Sequence, residues 1–157
     1  MTPRNTRRPA RIASALAGAA ALFVLPALSS LPAMAENGSA TGKWMIHHPV
    51  SGEPLMIVEI EEENGALEGT VIRLADGPED AICWSCTGEA KNKPLKGLKF
   101  LSGFRPDAKG WSGGFLLRPA TGTVSPARLD LVMQGKALQM TTGRGPLQVN
   151  QKWERID

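Results

Sequence analysis

The chain has no tyrosine, and it has only two cysteines and two histidines among 157 residues. The histidines, His47 and His48, are neighbours. Adjacent side chains on a strand point to opposite faces, so the two cannot comfortably chelate one metal unless the strand has ended there; surface or strand-end histidines are the expected reading, and a ligand or general base is the alternative. The cysteines, Cys83 and Cys86, have no second Cys or Cys/His pair at the spacing a zinc site needs. No G-x-S-x-G, H-E-x-x-H, phosphate-binding loop or dinucleotide fingerprint occurs. Nothing therefore points to an enzyme, a metal or a bound cofactor. Long amphipathic helices and internal repeats are missing as well.

An excess of positive charge is missing where it would matter. The formal net charge is +3, but four of the 18 Lys and Arg residues lie in the first 35 positions and none of the 15 Asp and Glu do. Residues 36–157 therefore carry a net charge of −1, and nucleic-acid binding has no support. The early segment reads as a secretory signal. Arg4, Arg7, Arg8 and Arg11 form a basic start, Ile12 to Leu31 is apolar and alanine-rich, and Ala33-Met34-Ala35 supplies a small-x-small cleavage site. Arg7-Arg8 hints at twin-arginine export, but Ala10 and Arg11 stand where that signal wants large apolar residues, which favours ordinary export. An uncleaved anchor is the alternative; Pro26 and Pro32 interrupt the run and argue against it. The expected product is residues 36–157, a single periplasmic or secreted domain with no transmembrane segment.

What remains is rich in strand and turn signals. After a small polar lead-in expected to be mobile, Glu36 to Thr41, Lys43 to His47 places Trp44 and Ile46 on one face. Pro54 to Glu61 puts Met56, Val58 and Ile60 on one face and Glu59 and Glu61 on the other, which also carries Leu55 and Ile57, so the alternation is clean only in the second half. Asn64-Gly65 is the strongest local signal, a tight hairpin turn between two strand-like runs. Ala66 to Leu74 follows, with Gly69 marking a bulge or close approach. The pattern breaks from Ala75 to Gly97, where Asp76-Gly77-Pro78-Glu79-Asp80 resembles a helix start and predicts a short helical or turn segment over Pro78 to Cys86.

Regular spacing then resumes in strands over Leu98 to Phe104 and Trp111 to Leu117. The next carries Leu129, Leu131 and Met133 on one face, with Pro126 preventing an earlier start. Ala137 to Thr142 and Leu147 to Ile156 complete the set, Leu147, Val149 and Trp153 sharing a face. The fold class is all-β: eight antiparallel strands in up-and-down order, closing into a barrel with one long loop or short helical turn. An open two-sheet sandwich is the competing architecture, and hairpin-length links favour the barrel.

In order and spacing, these features resemble the domain of unknown function 2147 family of exported bacterial proteins. They are Trp44 in the first strand, Asn64-Gly65 before a strand containing Gly69, and Cys83-x-x-Cys86. Lys93-Pro94 leading to Gly97, Gly113-Gly114, the turn Pro119-x-x-Gly122 and Trp153-x-Arg155 follow. The chain departs from that pattern at Arg118-Pro119, where the family usually has Asp-Pro, and in having no aromatic between Val124 and Arg128. The resemblance implies a lipocalin-like β-barrel of unassigned function. Gly42-Lys43-Trp44 is also similar to the G-x-W that opens lipocalin barrels, which implies a tryptophan plug stacked on a late basic residue, here Arg155.

Candidate sites follow from that frame. In an exported protein Cys83 and Cys86 are expected to form a structural disulfide; thiol–disulfide exchange is the alternative, disfavoured because both would sit near a helix C-terminus. A barrel of this size is either filled by side chains or holds one small ligand. The candidate lining for a small apolar ligand is Trp44, Ile46, Met56, Val58, Ile60, Phe115, Leu129, Leu131, Met140 and Trp153. The other reading is a filled barrel that serves as a structural or interaction protein of the cell envelope, with Ala75 to Gly97 contacting a protein partner. Glu59, Glu61, Glu62 and Glu63 read as a solvated strand face, and Lys91, Lys93 and Lys96 as a solvated loop, with an anion patch at the barrel mouth as the alternative for the lysines.

Overall fold

The computed structural model describes residues 38–156; the signal-peptide reading of residues 1–35 lies outside the described residues. The alternating segments become β1 (Gly42–His47), β2 (Pro54–Glu63), β3 (Ala66–Leu74), β4 (Lys99–Pro106), β5 (Trp111–Arg118), β6 (Thr123–Val132), β7 (Ala137–Thr142) and β8 (Val149–Arg155). Each strand pairs antiparallel with the next, and β8 returns to β1, so the sheet is a closed up-and-down barrel and not a sandwich. Asn64 and Gly65, at φ 54° and 74°, make the tight turn between β2 and β3. The β3–β4 ladder is irregular on both sides of Gly69, as its glycine foretold.

Three local expectations are corrected, and a fourth is narrowed to one of its alternatives. Residues 78–86 are the turn and not the helical form of the expected segment, with turns at 79–80 and 84–85. Their backbone is engaged across the loop: Cys83 donates to the Lys93 carbonyl, Asn92 to Cys83 and Leu95 to Ala81, at 2.8, 3.0 and 2.7 Å. Those groups are then not free for i→i+4 bonds, and the loop's one short 3₁₀ turn falls at Gly88–Ala90. Pro126 does not delay β6, which starts at Thr123. It pairs with Phe115, and the ladder to β7 begins one residue later at Ala127, so the proline sits where β6 has a neighbour on one side only. Met133 and Leu147 leave the strands for 3₁₀ turns, and both are exposed. The lead-in is not loose at Ser39–Thr41, and Ala40 is fully buried.

Arg155 explains that last correction. Its guanidinium donates to the carbonyls of Ser39 at 2.6 Å, Thr41 at 3.0 Å and Gly135 at 2.9 Å. It also lies 4.2 Å above the Trp44 ring. Trp44 is fully buried, and its Nε1 donates to the Ala40 carbonyl at 2.9 Å. Among the described residues the β1–β8 ladder has two pairs, Trp44 with Arg155 and Met45 with Glu154, so this cluster sits on the shortest seam of the barrel. It plugs that end, and the core packs directly above it: Val58, Ile60, Leu67, Leu101, Phe104 and Leu129.

On the outer wall, Arg128 of β6 grips Asp107 of the β4–β5 turn through two bonds of 2.6 and 2.9 Å and reaches Asp130 at 2.8 Å. Asp107 also accepts the N–H groups of Lys109 and Gly110. Glu63 and Glu68 meet Lys99 on the outside, in keeping with a solvated acidic face.

Two predictions follow from these contacts. Trp153 is as buried as Trp44, yet its Nε1 has no protein partner among the described residues. Trp44→Phe should therefore lower the unfolding free energy by about 1–2 kcal/mol more than Trp153→Phe, by chemical denaturation. Equal losses would refute the plug. For Asp107, the bonds from Arg128 hold the carboxyl well below its ordinary value of 3.8. The unfolded chain takes up that proton first, so the stabilisation is present above about pH 4 and fades as pH falls below it. The melting-temperature gap between wild type and Asp107→Asn should close on acidification; a gap that holds to about pH 2 would contradict the assignment.

Candidate functional site

Because successive strands reverse direction, the β1–β2, β3–β4, β5–β6 and β7–β8 connections share the end opposite the plug. A cavity of about 570 Å³ opens there. Its wall is apolar: Ile46, Met56, Val71, Leu74, Phe100, Leu116, Leu117 and Trp153. The Phe100 and Trp153 rings, 5.9 Å apart and tilted by 38°, line it and also belong to the packed core. The barrel is thus filled at one end and hollow at the other. The volume lies within the range of small-molecule sites, roughly 300–1,000 Å³.

The rim is made by the long β3–β4 loop, the β5–β6 turn and the end of β1. Cys83 and Cys86 are joined in a disulfide, and with Leu98 they form a small second core against Ala90, Leu95 and Leu117. This loop is clamped to the β5–β6 turn. The Cys83 sulfur lies 3.6 Å from the Pro119 carbonyl oxygen, and Gly122 lies so close to the Ser85 carbonyl that a Cβ there would collide with it. Trp84, held between the two cysteines, is 74% exposed and stands on the rim with Ile82. Lys91, Lys93 and Lys96 face solvent. His48 is also on the rim, where its Nδ1 accepts the N–H groups of Val50 and Ser51 and closes the turn after β1. Among the described residues no group of three or more His, Cys, Asp or Glu is placed to hold a metal ion.

Among the described residues two acid or guanidinium side chains touch the cavity. Asp76 is exposed, and its Oδ1 accepts the Gly77 N–H at 2.8 Å. Arg118, at the end of β5, is partly buried and donates from Nη2 to the Thr142 hydroxyl at 2.8 Å. Thr142 is the buried polar residue of the core, 3% exposed. Among the described residues no carboxylate lies within ion-pair distance of Arg118.

Of the ten residues that strand alternation offered as lining, Ile46, Met56 and Trp153 border the cavity. Trp44, Val58, Ile60, Leu129 and Met140 are buried in the packed half, and Leu131 is partly buried against it. Phe115 is a correction: it points outward and is 49% exposed. The cause lies beside it. The β5–β6 register slips between Trp111 and Gly114, with Gly113 at φ 76°, which reverses the alternation. Gly114 then faces inward, where a Cβ would overlap the Phe104 ring, so Phe104 from β4 takes the space and Leu116 faces the cavity. The Gly113-Gly114 pair was the visible sign of this slip. Arg118, Pro119 and the loop residues carried no periodic signal and were missed as lining.

The fold is similar to that of a solved structure, the protein HP1028 from the human pathogen Helicobacter pylori, described as belonging to the lipocalin family. The match has a TM-score of 0.66 at 20% identity and covers 76% of this chain and 84% of that one. No curated protein matches the sequence. A family model described as "Uncharacterized protein conserved in bacteria (DUF2147)" matches residues 42–155, from the start of β1 to the end of β8. With its lipocalin-like closed barrel, the chain belongs to the DUF2147 family.

Proposed function

We propose that this protein is an exported binding protein that carries one small, largely apolar molecule in the open half of its barrel, and that it is not an enzyme. The observation that supports this reading is the apolar cavity of about 570 Å³ opposite the plug. Packed interiors leave few voids larger than a water molecule, so a hollow of this size is a feature to be explained and not a packing fault. Export, to the periplasm or beyond, rests on the basic, apolar and small-residue pattern of residues 1–35.

Met56 is partly buried on the cavity wall, which makes it the position to fill. Wild-type protein should bind a single-chain aliphatic probe such as 1-dodecanol one to one by native mass spectrometry. Met56→Trp should weaken binding by about tenfold or more while melting close to wild type. A wild-type protein that binds no member of an aliphatic panel would overturn the reading.

A second reading has one observation behind it. Trp84 and Ile82, at 74% and 44% exposed, present apolar surface on the β3–β4 loop, which suits contact with an envelope protein. A photo-crosslinker placed at Trp84 in cells should then trap one dominant partner, and diffuse labelling would count against it.

A further inference from the structure

Resting on the cavity reading above, we propose that Arg118 is a head-group site, and that the molecule carried is a single-chain amphiphile with a carboxylate. The tail occupies the apolar hollow and the carboxylate meets the guanidinium at the mouth.

Three observations place the charge there. Arg118 is the guanidinium on the cavity lining, at the end of β5 and partly buried. Other arginines among the described residues are used elsewhere: Arg128 is paired with Asp107 and Asp130, and Arg155 is bound to backbone carbonyls at the plug. Arg73, Arg105 and Arg144 are exposed and do not line this cavity. A partly desolvated cation without an anion is unfavourable, and an anionic ligand relieves that.

The second observation is orientation. The bond from Nη2 to the Thr142 hydroxyl, 2.8 Å long, uses one of the five N–H donors of a guanidinium. It fixes the plane of the group to a hydroxyl that is itself buried, 3% exposed. The remaining donors suit the two-pronged geometry in which Arg recognises a carboxylate. The third is support from the backbone. Thr121 and Gly122 donate to the Arg118 carbonyl at 3.1 and 2.8 Å, and the turn they make is held against the disulfide loop at Pro119 and Gly122. The head-group position is therefore built on two clamped segments and not on a free loop. Among the described residues the one acid on the lining is Asp76, which is exposed, accepts the Gly77 N–H and makes no ion pair with Arg118.

The test compares laurate with 1-dodecanol, which share a chain length and differ in the head group, by isothermal titration of the purified protein. Wild type should bind laurate about tenfold or more tightly than dodecanol. Arg118→Gln should bring the two affinities to within about threefold of each other by weakening laurate alone. Arg118→Lys, which keeps the charge without the fork, should retain part of the preference. Equal affinities in wild type would overturn the head-group site while leaving the cavity reading intact. A laurate preference that survives Arg118→Gln would overturn the assignment to Arg118. Failure of wild type to bind either probe would overturn the cavity reading and this inference with it. The wild-type comparison needs no substituted protein, so it stands even if a variant folds poorly.

Discussion

A barrel depends on its seam, and here the seam is short. Among the described residues only Trp44–Arg155 and Met45–Glu154 pair across β1 and β8, where the other neighbouring strands share longer registers. Arg155 strengthens that join by stacking on Trp44 and by binding carbonyls on both the lead-in and the β6–β7 turn. One side chain thus ties the first strand, the last strand and the chain before the first strand. Closure removes the exposed edges that an open sheet would present, so the contact that plugs the barrel also protects it from edge-to-edge association.

That plug decides where a ligand can go. With Trp44, Val58, Ile60, Leu129 and Met140 filling one half, the space left between the strands lies at the other end, where Phe100 and Trp153 line it. The long β3–β4 loop falls at this end because the topology assigns it there. Its disulfide spans only a few residues, so by loop closure it constrains the unfolded chain little; its effect is local. It shapes a loop that carries Trp84 and braces the turn that presents Arg118. The plug and the loop act at opposite ends of one barrel, the first on stability and the second on the shape of the mouth.

Much of the architecture was legible because it depends on local chemistry. Asn64-Gly65 made its turn, the strand count was right, and Trp44 met Arg155 as the family resemblance implied. The candidate site was less legible. Alternation separated inner from outer faces along β1 and β2 but could not say which inner residues border space and which border one another. Phe115 failed for a different reason: the slip beside Gly113 moved the register by one, and a one-residue shift turns every following side chain to the other face. The acidic run before Cys83 looked like a helix start, yet the backbone found partners across the loop in Lys93 and Ala81.

By itself, then, the sequence determined the all-β class, the strand order, the main hairpin turns and the cysteine pair, since each rests on neighbours in the chain. Only the tertiary structure decided that the barrel is full at one end and hollow at the other, that Phe115 faces water, and that Arg118 stands at the mouth bonded to Thr142. The reason is physical. A cavity is a property of volumes contributed by several strands at once, and the environment of a charge is set by groups that only folding brings near it.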